Sequence, residues 1–180
     1  MTKEHRLYLI IAASATTVAV ALALYFLYYL PNKKTMGTKK LSTKGAFFIK
    51  LKEGFESVAY KKDDGIWTIG YGHTLGVTQS MICTRAEADV WFLQDVAKCE
   101  ASVNKQNLAL SQNQFDALVS YAYNIGTGAF EKGTLLSLIK SGASEVKIRN
   151  WWTTTWISTK GKVLPGLVTR RAEEADMFFA

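Results

Sequence analysis

The chain has 180 residues, 48% of them apolar, and 22 basic against 15 acidic side chains for a formal charge of +7. That length and composition suit one domain with a core of ordinary size and exclude disorder as the organising state. Residues 1–40 carry six basic side chains against Glu4, so residues 41–180 hold a surplus of only two; the basic balance belongs to a tail, and no nucleic-acid partner is expected.

After a short tail at 1–6, residues 7–30 run LYLIIAASATTVAVALALYFLYYL without a charge. At about 1.5 Å per residue this run crosses a hydrocarbon core of about 30 Å, so a transmembrane signal anchor is expected. Tyr25, Phe26, Tyr28 and Tyr29 suit an interface, and Pro31-Asn32 ends the helix. The alternative is a cleaved signal peptide, whose core of about 7–15 apolar residues precedes a small-x-small site. This run is longer and ends in Tyr-Tyr-Leu-Pro, which favours the anchor. Lys33, Lys34, Lys39, Lys40, Lys44, Lys50 and Lys52 outnumber Lys3 and Arg6, so the positive-inside rule would keep the following domain in the cytoplasm, although long domains translocate largely regardless of charge. Residues 31–44, rich in Lys, Thr and Gly, are expected to form a basic tether to a domain at 45–180.

In GAFFIKLKE, residues 45–53, the spacing of Phe47, Phe48 and Leu51 predicts a short helix that stops at Gly54 and leaves Glu53 at its C-terminus. Alternating Trp67, Ile69 and Tyr71 among Gly65, Gly70 and Gly72 predict a small antiparallel sheet over 55–74. Thr84-Arg85-Ala86-Glu87 and Ser111-Gln112-Asn113-Gln114 are capping boxes that open two helices. The second carries Phe115, Leu118, Val119, Ala122 and Tyr123 on one buried stripe and breaks at Gly126-Thr127-Gly128. Helices over Thr134–Ile139, Glu145–Trp156 and Thr169–Phe178 complete an α+β layout, with Trp151, Trp152 and Trp156 assigned to the core. A helix between Cys83 and Cys99 would separate them by roughly 24 Å, so both are expected as free thiols, and no metal-ligand spacing is present.

Chemistry concentrates between Glu53 and Thr74. A carboxylic acid at a helix end, carboxylates in the next turn and a hydroxyl on the following strand suit glycoside hydrolysis, in which one acid protonates the leaving oxygen and a second carboxylate steers a water or attacks the sugar. By composition alone the signal is weak, because an acid-rich turn is more often just a solvated hairpin.

Glu53-Gly54, Thr68 and Ile69-Gly70-Tyr71-Gly72-His73-Thr74 resemble the catalytic signature of phage-type lysozymes, glycoside hydrolase family 24, in residue type and in the Glu-to-Thr spacing. Gln114–Ser120, Asn124–Phe130 and Val163–Val168 with Arg170-Arg171 also resemble that family, so the likeness covers most of 45–179. It implies a lysozyme-like fold of a small sheet lobe and a helical lobe, acting on the β-1,4 linkage between N-acetylmuramic acid and N-acetylglucosamine in peptidoglycan strands. It also implies no cofactor or metal, and a monomer is expected. Glu53 becomes the proton donor and Thr68 helps to position the water. With eight residues between it and Glu53, where the family has Asp or Cys, stands Lys62, a donor that accepts no proton while charged. Asp63, shifted by one residue through a bulge or irregular loop, is the expected second carboxylate, with Asp64 beside it; the competing reading is that the second carboxylate is missing. Arg170 or Arg171 is expected to reach Glu53, and His73 to be structural, paired with Asp95. Tyr71, Asn113, Asn124 and Thr134 are the candidate sugar-binding residues.

The weakly apolar first half of the anchor, Ala12 to Thr17, is similar to the signal-anchor-release segments of some phage endolysins, which can leave the bilayer; the domain is expected at the inner membrane of a host bacterium, facing the periplasm, with a virion membrane as the alternative. Two rival readings stand beside hydrolysis. One is a wall-binding or virion protein that keeps the fold without activity, for which Lys62 speaks. The other is a cytoplasmic regulatory domain on a membrane anchor, for which the lysine distribution speaks.

Overall fold

The computed structural model describes residues 38–62 and 65–180. The expected anchor at 7–30 and the expected second carboxylate, Asp63 or Asp64, lie outside the described residues. Among those described, no helix is long and apolar enough to cross a membrane.

The described chain begins by docking. Lys39 N–H donates to Asn104 Oδ1 at 3.0 Å, Leu41 N–H to Glu100 Oε1 at 2.7 Å and Ser42 N–H to Asp116 Oδ1 at 3.0 Å. The folded unit therefore starts at Thr38, and the last residues of the expected tether belong to it. Ser42 then caps helix α1, Thr43–Glu53, by accepting from Gly45 N–H. Gly45 itself has no room for a Cβ, which would sit 2.8 Å from Asp116 Cγ.

Strands β1, Glu56–Lys61, and β2, Trp67–Gly70, form an antiparallel hairpin with Tyr60 opposite Thr68 and Lys61 opposite Trp67. The ladder is irregular between Glu56 and Tyr60, where β1 turns its outer edge to a neighbouring segment: Ala59 N–H reaches Met81 O and Cys83 N–H reaches Ser57 O. The irregularity thus lies in the middle of β1. At the hairpin's tip, Lys62 N–H still bonds Ile66 O at 3.0 Å.

Helices follow: α2, Arg85–Asn104; α3, Gln112–Ile125; α4, Thr127–Lys132; α5, Thr134–Lys140; α6, Glu145–Thr154; and α7, Pro165–Phe179. A two-residue ladder, β3 Ser158–Thr159 with β4 Lys162–Val163, precedes α7. Both capping boxes form with their reciprocal bonds. α3 is the centre of the unit, buried continuously from Phe115 to Ala122 and packed against α1, α2, α4 and α7. Phe92, Val96, Phe130, Leu135, Trp152 and Phe178 complete the core from the helices around it. Trp152 is fully buried between Tyr121 and Phe178, whereas Trp156 falls beyond α6, has φ +59° and is 47% exposed, so it does not join the core. Cys83 and Cys99 are free and buried.

Candidate active site

Glu53 is the last residue of α1, because Gly54, at φ +72°, ends the helix with its N–H on Lys50 O. The Glu53 side chain is 17% exposed, enclosed enough to lose most of its water yet open to a ligand. Its Oε1 accepts from Arg170 Nη1 at 2.6 Å. Its Oε2 faces Gly72, where a Cβ would come within 3.4 Å of it, and Gly72 at φ +93° adopts a conformation natural only to glycine. Gly72 therefore borders the carboxyl group with backbone alone.

Arg170 comes from α7, which starts at Pro165 because proline has no N–H to leave unsatisfied in a first turn. The guanidinium is buried and fully engaged: Nε bonds Glu174 Oε1 at 3.0 Å and Nη2 bonds Ser120 O at 3.2 Å. Burial works against its charge, but the carboxylates of Glu53 and Glu174 more than offset this and hold it above its ordinary range. Arg171, the other expected contact, does not reach Glu53. It pairs with Glu174 instead, and burial pushes its guanidinium below its ordinary value.

Tyr123 crosses from α3 to the sheet lobe and donates its hydroxyl to Tyr71 O at 2.8 Å. Burial first, and the charge of Glu53 second, push that phenol far above its usual range. Tyr60 is raised likewise by burial, then by Glu56 and Glu53, so the hairpin face that carries Tyr60 lies in the field of Glu53. Thr68 projects from that same face as the partner of Tyr60, is buried, and turns its hydroxyl toward Ile66 O at 3.4 Å.

Two clefts flank this group. One of about 490 Å³ runs between α1, α3 and α7 and is lined by Leu51, Lys52, Glu53, Asn124, Leu164, Gly166, Leu167, Thr169 and Arg170. The other, about 170 Å³, lies beyond Gly72 and Tyr123, against Thr74, Asp95, Lys98, Cys99 and Thr127. Asn124 therefore stands beside Glu53. Asn113 does not: it sits in the first turn of α3, 11 residues or roughly 16 Å along the helix from Asn124, at the end where α1 begins. Thr134 is exposed at the start of α5, and among the described residues no contact ties it to Glu53. Tyr71, expected to meet sugar, has its ring in the core between Phe55 and Phe92 at 5.6 and 6.0 Å. Tyr71 falls just beyond β2, in the turn that follows Gly70 at φ +64°, and that turn aims its side chain inward.

His73 is buried, with Nδ1 2.6 Å from Asp95 Oδ2, Nε2 2.9 Å from Leu75 O and the ring stacked on Trp91 at 5.2 Å. Both ring nitrogens face acceptors, an arrangement that pins the turn after β2 to α2 and leaves no nitrogen for proton transfer. Among the described residues no group of His, Cys, Asp or Glu is arranged to hold a metal ion. Glu174 and Ser120 were not singled out by sequence reasoning, yet the spacing Arg170-x3-Glu174 and Arg171-x2-Glu174 places all three on one helix face and is the signal that finds them.

A hairpin lobe and a helical lobe that bring one partly enclosed carboxyl against a buried arginine define a lysozyme-type glycoside hydrolase. The chain belongs to the phage lysozyme family, which matches it over residues 50–174. The endolysin of Acyrthosiphon pisum secondary endosymbiont phage 1 is 37% identical over 143 residues, covering 77% of this chain and 97% of the relative. The solved endolysin from Escherichia coli O157:H7 phage FAHEc1 is 39% identical with a TM-score of 0.69, over 79% of this chain and 94% of that one. A SAR-endolysin of Enterobacteria phage P21 is 32% identical, over 69% of this chain and 76% of the relative. Family and fold together make this a muramidase of the endolysin kind.

Proposed function

We propose that the chain hydrolyses the β-1,4 bond between N-acetylmuramic acid and N-acetylglucosamine with Glu53 as proton donor, without cofactor or metal, as a monomer held at the bacterial inner membrane through residues 7–30 with its domain on the periplasmic side. The observation that carries the reading is the setting of Glu53, with Oε1 held by Arg170 and Oε2 turned toward Gly72. In this mechanism the proton passes from Glu53 to the glycosidic oxygen as its bond to the anomeric carbon breaks. The Arg170 N–H, fixed before the reaction, stabilises the carboxylate that forms. Asp63 takes the proton of the attacking water from the opposite face, Thr68 helps to position that water, and the configuration inverts. Asn124 borders the sugar cleft. The SAR-endolysin relatives and the uncharged run at 7–30 support the anchor.

Purified residues 38–180 are expected to clear peptidoglycan suspensions, and Glu53→Gln to abolish clearing; equal rates for the two would sink the mechanism. Among Lys62→Ala, Asp63→Asn and Asp64→Asn, the loss is expected in Asp63→Asn alone. Lys62 at the family's acid position favours a second reading, a wall-binding protein without turnover, which predicts pelleting with peptidoglycan and no new reducing ends. Protease access to the domain in intact spheroplasts tests the orientation.

A further inference from the structure

Behind the Glu53 to Arg170 contact lies a second carboxylate that no catalytic step uses. Glu174 has no exposed surface, yet four donors converge on it: Ser120 Oγ at 2.7 Å, Arg170 Nε at 3.0 Å, Arg171 Nη2 at 3.0 Å and Trp152 Nε1 at 3.3 Å. Arg171 Nε also lies 2.9 Å from Glu174 Oε2, at an angle that makes the contact ionic rather than a directed hydrogen bond. Buried carboxylates are costly unless paired, and breaking such a set leaves an uncompensated charge. A role in stability alone would not require the set to end on the side of Arg170 that holds Glu53.

We propose that Glu174 is a positioning residue for the hydrolysis, fixing Arg170 so that its Nη1 meets Glu53 Oε1 and setting the net charge that Glu53 faces. The proposal rests on Glu53 being the proton donor. The chain of contacts is continuous: Glu174 holds Nε, Ser120 holds Nη2, and the one remaining nitrogen, Nη1, points at Glu53. With Glu53 ionised, two carboxylates face two guanidinium groups; with Glu53 protonated, Glu174 alone faces both. The other titratable neighbours are Tyr123 and Tyr121 on α3, Tyr60 on β1, and the Lys52 to Glu173 pair at 2.6 Å, which is already neutral as a pair. Neutralising Glu174 thus leaves one more positive charge behind Glu53 and eases loss of its proton.

Clearing rates, kcat and KM of the whole described domain, residues 38–180, test this across pH. Glu174→Gln is expected to lower kcat by about 10- to 100-fold, as a misplaced catalytic group does, with little change in KM. The alkaline limb of its pH–rate profile, where the general acid loses its proton, moves to lower pH. The double variant Glu174→Gln/Arg171→Met removes one buried charge of each sign and keeps the fold free of an unpaired ion. Its limb returns toward the wild-type position while kcat stays low, because Arg170 Nε has lost its carboxylate. Wild-type kcat and an unmoved limb in folded Glu174→Gln would overturn the proposal. If that variant does not fold, wild-type kcat in the double variant overturns it. Glu53→Gln in the same assay separates the two ideas: activity there defeats the proton-donor reading, whereas its loss beside an unaffected Glu174→Gln defeats only this one.

Discussion

Gly72 shows how a single backbone conformation serves the chemistry. Its φ of +93° means that Gly72→Ala meets backbone strain, and its new Cβ would touch Glu53 Oε2 at 3.4 Å. A loss of about 1–3 kcal/mol in denaturant unfolding is expected from the strained backbone, with clearing activity falling as the turn beside the carboxyl shifts to relieve that strain. Cys99 is expected to be inert. Burial, reinforced by the charge of Asp95, pushes its thiol up to about 12, so at pH 8 labelling should proceed only as fast as the domain opens. Rapid labelling of native protein would contradict its placement. Glu53 was legible as a residue because a carboxylate followed by a helix-stopping glycine carries its own local signal. The choice between Arg170 and Arg171 was not, since adjacent residues on a helix diverge by about 100° and only the packing of α7 on α3 selects one. Tyr71 misled for a related reason: an aromatic next to a glycine turn suits both a sugar platform and a core plug, and burial decides.

At the level of elements, the capping boxes were fully legible, because Thr84 to Glu87 and Ser111 to Gln114 satisfy orphan N–H groups with residues three apart in sequence. They differ in one respect that can be measured. Glu87 is held below its ordinary carboxylate range by the backbone N–H of Thr84 and then by its hydroxyl. A depressed folded-state value means that its contribution is present above the unfolded pKa, near 4, and is lost as pH falls through the folded one. The penalty of Thr84→Ala should therefore shrink between pH 7 and pH 3. Ser111→Ala, whose partner Gln114 does not titrate, should cost about 1 kcal/mol at both. Thermal unfolding of the two variants at the two pH values provides the comparison. Less legible were the restart of helix at Thr127 directly after the break at Gly126, and the extension of α7 back to Pro165. Both depend on what packs around them: glycine and proline punctuate a chain without saying on which side the next turn begins.

The boundary of the whole unit depends on long-range contacts that no window of sequence displays. Residues 31–44 have a linker's composition, yet Lys39, Leu41 and Ser42 bond side chains 59 to 74 positions away. A chain beginning at Gly45 would lose the Ser42 cap and leave the buried carboxylate of Asp116 without two of its donors. It should unfold at lower denaturant than residues 38–180, whereas equal midpoints would show those contacts to be idle. The same stitch has a mechanical meaning. Any load applied upstream of Thr38 enters the domain through Lys39, Leu41 and Ser42, which give way in turn rather than together, and so yield at a force set by single bonds. Glu53, the proposed proton donor, sits at the other end of α1, 11 residues or about 16 Å further on. Moderate tension applied at Thr38 would thus fray the entry to the helix while the Glu53 carboxyl stays at rest.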